Sequence, residues 1–141
     1  MLNDNDRGLE YFRRLNGEIC LVWGNHETDN RKELFCQLPN VVSLGYAHVF
    51  RYKKLSFYLS HYPALTANYD EKYFSQHVIN LHGHTHQQTN FLYPRNPFMY
   101  HVGVDSHHCT PVHLEKIIID IRERWEDIKN AEESFLPTDF Y

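Results

Sequence analysis

A chain of 141 residues is long enough for one domain and short for two. Its 42% apolar and 15% aromatic content supplies a core, which excludes a chain disordered throughout. A formal charge of −4 excludes a basic bulk footprint, so nucleic acid enters only as a substrate.

Taken in chain order, Asp6 is placed to cap a helix through Leu15, with Leu9, Phe12 and Leu15 on one face. Asn16-Gly17 makes a turn. Ile19 to Trp23 is a continuous apolar run, expected as a strand buried on both faces. It runs directly into Gly24-Asn25-His26-Glu27. A second helix is expected from Asn30 to Leu38, stopped by Pro39. Val49 to Tyr52 and Leu55 to Ser60 read as two strands about Lys53-Lys54, the second ending at His61-Tyr62-Pro63. A helical turn is expected over Tyr69 to Phe74. Val78 to Leu81 is another short apolar run, and it ends in His82-Gly83-His84-Thr85-His86. Asn90 to Pro97 is loop-like, and Met99 to Val104 reads as a strand.

Thr110-Pro111 then carries the signature of a helix start, with threonine as the cap and proline in the first helical position. That helix is expected to continue through Trp125 or Ile128. Beyond Asn130 no period is visible, so one domain over residues 1–130 and a tail over 131–141 are expected. Short strands alternating with helices make the fold class α/β.

Cys20, Cys36 and Cys109 form no CxxC pair, which removes a zinc ribbon and a thioredoxin-like motif and fits a reducing compartment. No apolar run is long enough to cross a bilayer, and the polar, acidic start MLNDNDRGLE is not a signal peptide. A cytoplasmic protein with no membrane partner is the expectation.

Histidine is the outlier, at 11 of 141 residues. Three polar clusters each stand directly after an expected strand: Asn25-His26, His61, and His84 with His86. Strand-end loops are where α/β folds place ligands, because the strands are rigid and the loops are free to vary. Imidazole nitrogens and an amide oxygen suit manganese, iron, nickel or zinc. The absence of thiolates from the clusters argues against a closed structural zinc site.

Gly24-Asn25-His26-Glu27, then Ser60-His61, then Gly83-His84-Thr85-His86, with Val102-Gly103-Val104-Asp105 following, resemble the last three motifs of the calcineurin-like metallophosphoesterase family. The resemblance runs from about Asp6 to Arg124. It implies a sandwich of β-sheets flanked by helices and two divalent ions. By resemblance, Asn25, His61 and His84 ligate one ion and His86 the other. His26 stands near the leaving group as acid or transition-state stabiliser. The substrate is a phosphomonoester or phosphodiester, hydrolysed by a metal-activated hydroxide.

The chain departs from the family pattern in one respect. No Asp-x-His stands upstream of Asn25, and no Gly-Asp occurs at all. The family's opening strand–helix–strand is therefore expected to be missing. Without those carboxylates, one weakly held ion or none is expected, with hydrolysis impaired. The alternative is a catalytically inactive remnant that binds a metal or a partner protein. Self-association through an exposed sheet edge is a further expectation. His82, His84 and His86 also suggest a metallo-β-lactamase-type zinc site, but that pattern needs Asp-His where Thr85-His86-Gln87 stands. Among the remaining residues, His82 is expected to support the ligands, and Asp105 to cap or support a loop rather than ligate.

Overall fold

The computed structural model describes residues 4–66 and 72–134. The chain is mixed α/β with three helices and two sheets. The elements are α1 (Asp4–Arg14), β1 (Ile19–Val22), α2 (Asp29–Cys36), β2 (Val41–Gly45), β3 (Ala47–Tyr52), β4 (Leu55–Ser60), β5 (Val78–His82), β6 (Met99–His101) and α3 (Leu114–Ser134). Short 3-10 turns cover Phe74–Gln76 and Val104–Ser106. One sheet is a parallel pair, β1 with β2; the other has the order β3-β4-β5-β6. In the larger sheet β3 runs antiparallel to β4, while β4, β5 and β6 run parallel.

The larger sheet is built on strict alternation. Leu55, Phe57, Ile79, Leu81 and Tyr100 share one face with α3, whose Ile117, Ile118 and Ile121 pack against them. The isoleucines recur at the spacing of one helical face, so most polar residues of α3 face solvent; Asp120 is the exception and accepts from the buried Tyr100 hydroxyl at 2.6 Å. Asn80, His82 and His101 point to the opposite face and are also buried. Each has a neighbour to satisfy it in part. Asn80 donates to the Tyr58 carbonyl at 3.0 Å and to Ser60 Oγ at 2.9 Å, and its Oδ1 accepts from the Ala64 amide at 2.9 Å. A smaller cluster joins α1, α2 and β1, where Phe12 and Phe35 meet edge to face at 4.9 Å and Trp23 lies beside Phe35.

Several sequence expectations need correction. The first strand ends at Val22, and it is not buried on both faces, because Cys20 is exposed and its neighbours are only half-buried. Its sheet has just two strands among the described residues, so each strand keeps an unpaired edge. β2 was not expected. Val41–Gly45 is short, and its pairing with β1 is a non-local contact that no local pattern announces. The third strand begins at Ala47 rather than Val49. Its hairpin turn holds Lys53 and Lys54 at φ 49° and 66°, the twist a two-residue turn requires, with neither asparagine nor glycine to supply it. Lys53 is anchored instead by Glu115 at 2.7 Å.

α3 starts at Leu114, not at Thr110-Pro111. The Thr110 hydroxyl donates to the His107 carbonyl at 2.7 Å, so that threonine closes a turn instead of capping a helix. The helix then passes the end expected at Trp125 or Ile128, crosses residue 130 and reaches Ser134. The strand expected to run to Val104 stops at His101, because the chain folds into the 104–106 turn. The helical turn expected over Tyr69 to Phe74 falls partly outside the described residues; a 3-10 turn follows at Phe74–Gln76. No helix among the described residues is long and apolar enough to cross a membrane.

Ile121 is fully buried at the centre of the helix–sheet contact. Ile121→Ala is expected to lower unfolding free energy by about 2–5 kcal/mol in urea titrations, with no change in the strand-end loops.

Candidate metal centre at the strand ends

The parallel register of β4 and β5 pairs Leu59 with Leu81, so the two strands finish side by side. The ladder continues one step beyond them, with the Gly83 amide donating to the His61 carbonyl at 3.0 Å. The loop after β4 is fixed from below. Ser60 Oγ donates to the Tyr62 carbonyl at 2.7 Å, and Asn80 holds the Ala64 amide. The loop after β1 arrives from the other sheet, where Trp23 donates to the Gly45 carbonyl at 2.7 Å.

These loops bring three of the expected site residues together. His61 Nε2 lies 2.7 Å from Asn25 Oδ1 and 3.1 Å from His84 Nδ1; His84 Nδ1 lies 3.3 Å from the same amide oxygen. Bonds of about 2.0–2.2 Å from a cation to nitrogen or oxygen put neighbouring donors about 3.0 Å apart in an octahedron and about 3.4 Å apart in a tetrahedron. The observed triangle matches one face of such a shell. The three atoms are also short of protons. An amide oxygen only accepts, and the two ring nitrogens face each other too closely for both to carry hydrogen. At least one nitrogen therefore directs a lone pair into the triangle.

Glycine makes this approach feasible. A Cβ on Gly24 would stand 2.8 Å from His61 Nδ1 and 2.9 Å from Glu27 Oε2. The Gly24 amide instead donates to the Glu27 carboxylate, which folds back beneath the loop. Burial, with the neighbouring His84 ring next, holds His61 below the usual imidazole range, while Glu27 pulls the other way. A bare ring nitrogen near neutral pH is the form that ligates a cation. His84 and His86 both sit at positive φ, 64° and 47°. Each such residue costs about 1–2 kcal/mol of backbone strain relative to the right-handed region. Two in one three-residue stretch place this loop among the strained segments that gather at functional sites.

His86 and His26 do not join the triangle. His86 Nδ1 lies 3.1 Å from Asp105 Oδ2. His26 is exposed beside Asn25, and its carbonyl accepts from Arg31 at 2.9 Å. Neither imidazole makes a hydrogen bond to Asn25, His61 or His84. Among the described residues no group of three or more His, Cys, Asp or Glu side chains could hold a metal ion, since the third member of the triangle is an amide. The donor set fits a cation in geometry and proton count, but it brings no negative charge.

Four neighbours of the site take roles that the motifs do not assign, although Asp105 was expected to support a loop. Asn80 braces the His61 loop, and a buried asparagine in an apolar strand was the one hint available. Glu27 lies in the first motif but acts on the Gly24 backbone. The Tyr62 ring lies 4.6 Å from the His84 ring and walls one side. Asp105 reaches His86 from 19 residues away. Beyond it, Gln88, Asn90, Ser106, His108 and Arg124 border an open, polar cavity of about 540 Å³.

Comparison of the chain with protein-family models, curated proteins and solved structures finds no match.

His101 and His82 lie behind the site, 5.6 Å apart between ring centres. Burial, reinforced by the His82 ring, pushes His101 down to about 4. Burial lowers His82 as well. The unfolded chain takes up protons near pH 6.5 while folded His101 stays neutral. Its contribution to stability is thus complete above about pH 6.5 and is lost as pH falls towards 4. A loss on the order of 3 kcal/mol across that window is expected from His101 alone. Urea midpoints at pH 7.5 and pH 4 check it, and His101→Gln should reduce the difference.

Proposed function

We propose that the chain is a metal-dependent phosphoesterase domain of the calcineurin-like type, in which Asn25, His61 and His84 hold one divalent cation. The observation that carries this reading is the triangle of donor atoms at 2.7, 3.1 and 3.3 Å, drawn from three separate strand-end loops. Three donor atoms from three separate loops face one point, and at least one ring nitrogen presents a lone pair there. The donor types suit manganese, iron, nickel or zinc.

Such a cation supplies Lewis acidity and an activated water to phosphate-ester hydrolysis. The chain's own residues do the rest. The resemblance gives His26, exposed beside Asn25, the part of proton donor to a leaving oxygen. His86 offers a second imidazole to the phosphoryl group. An open cavity of about 540 Å³, bordered by Ser106 next to Asp105 and by Arg124, would take the remainder of a phosphomonoester or phosphodiester. Arg124 is held by the Phe91 ring at 4.7 Å and has no carboxylate within ion-pair distance among the described residues. All three cysteines are free, which suits a cytoplasmic setting. The unpaired outer edges of β1 and β2 are the surfaces through which self-association would run.

One observation favours a second reading, a metal-binding domain without turnover. All three donors are neutral, so charge on a bound cation is offset only by Glu27, at second hand. Calorimetry with Mn²⁺ and Zn²⁺, beside hydrolysis of bis-p-nitrophenyl phosphate, separates the two. One equivalent of metal is expected to bind, and His61→Ala or His84→Ala to abolish binding. Gly24→Ala, which drives a methyl group against His61, is expected to weaken binding about ten-fold or more. Binding with metal-dependent turnover supports the hydrolase, and binding without turnover supports the second reading. Failure of the wild-type chain to bind either metal sinks both.

A further inference from the structure

Asp105 stands on the 104–106 turn with Oδ2 at 3.1 Å from His86 Nδ1. An ionised carboxylate can only accept, so this contact requires the proton on Nδ1. In the neutral ring Nε2 is then bare. We infer that Asp105 is a positioning residue for His86: it fixes the Nδ1–H tautomer and the ring's direction, so that the Nε2 lone pair faces outward beside the Asn25–His61–His84 triangle. What Nε2 meets there, a cation or a phosphate ester, rests on the proposed function. The tautomer does not.

The pair is poorly placed to stabilise the fold. The side chains of His86 and Asp105 are 74% and 36% exposed, and exposed pairs contribute little. Both sides of the contact are nevertheless built. On the histidine side, left-handed backbone at His84 and His86 is held by a chain of local hydrogen bonds. Thr85 donates from its amide to the Gly83 carbonyl at 2.7 Å and from its hydroxyl to Gln87 Oε1 at 2.6 Å, and Gln87 Nε2 donates to the Thr89 carbonyl at 2.7 Å.

On the carboxylate side, the turn is fastened to a buried imidazole. Ser106 Oγ lies 2.7 Å from His101 Nδ1, and His107 Nε2 donates to the His101 carbonyl at 2.8 Å. Gly103 lies flat on the same ring, since a Cβ there would come within 2.6 Å of His101 Cε1. His101 is only 1% exposed. Asp105 is thus presented by a rigid support, and His86 is its one hydrogen-bond partner among the described residues. Histidines that ligate metals commonly hand their second N–H to such a carboxylate, and losing it costs about 10–100-fold in affinity.

The test is ¹⁵N–¹H correlation NMR of the histidine rings at pH 8 without metal. Wild-type His86 is expected to carry its proton on Nδ1. Asp105→Ala is expected to shift it to the Nε2–H form, with an unchanged thermal midpoint. Asp105→Asn, whose amide oxygen still accepts, should retain the wild-type tautomer. A wild-type ring protonated on Nε2, or an Asp105→Ala ring still protonated on Nδ1, overturns the inference. If the alanine variant does not fold, the wild-type tautomer alone decides it. A wild-type Nδ1–H ring in a chain that binds no Zn²⁺ would sink the metal reading and leave this one standing.

Discussion

The parallel pairing of β4 with β5 is the constraint on which the site depends. Parallel strands finish at the same edge, and here the register leaves His61 and Gly83 opposite one another beyond the last paired residues. An antiparallel pair would send the two loops to opposite ends of the sheet. A slip of one residue would exchange Leu81 with Asn80 or His82 on the α3 face. The core is therefore what holds the site in register. Phe57, Ile79 and Tyr100 lock the strands against α3, and the strand ends inherit that rigidity.

Behind the loops lies a layer that is both buried and polar. Asn80, His82 and His101 are all essentially inaccessible. Asn80 uses its amide fully, in three hydrogen bonds, and so transmits the order of the sheet to the His61 loop. His101 does the same for the 104–106 turn through Ser106 and His107. His82 is the exception, since its buried Nε2 has no partner among the described residues. An unsatisfied buried donor or acceptor costs about 1–3 kcal/mol, and such groups persist where an ordering role outweighs that cost.

Charge sets the limit on what the site can do. The triangle is neutral, and its nearest carboxylates act at one remove, Glu27 on the Gly24 amide and Asp105 on His86. Nothing in the triangle would offset the charge of two divalent ions. The chemistry and the strain are in the same place. The left-handed backbone at His84 and His86 lies within the loop that brings His84 to the triangle and His86 to Asp105.

By itself the sequence determined the alternation of β4, the apolar face of α3, the α/β class and the three strand-end clusters, because these depend on local period and composition. β4 lies where its pattern put it, at Leu55–Ser60. Tertiary structure decided what local pattern does not encode. Val41–Gly45 became a strand only because β1 lies alongside it, and Thr110-Pro111 failed as a helix start only because the His107 carbonyl was within reach of the threonine hydroxyl. The same holds at the site. The motifs named Asn25, His61 and His84, but their meeting within 3.3 Å, the bracing by Asn80 and the reach of Asp105 to His86 follow from strand register across long stretches of chain. A sequence carries residue types and periods, whereas distances between loops exist only once the sheet has closed.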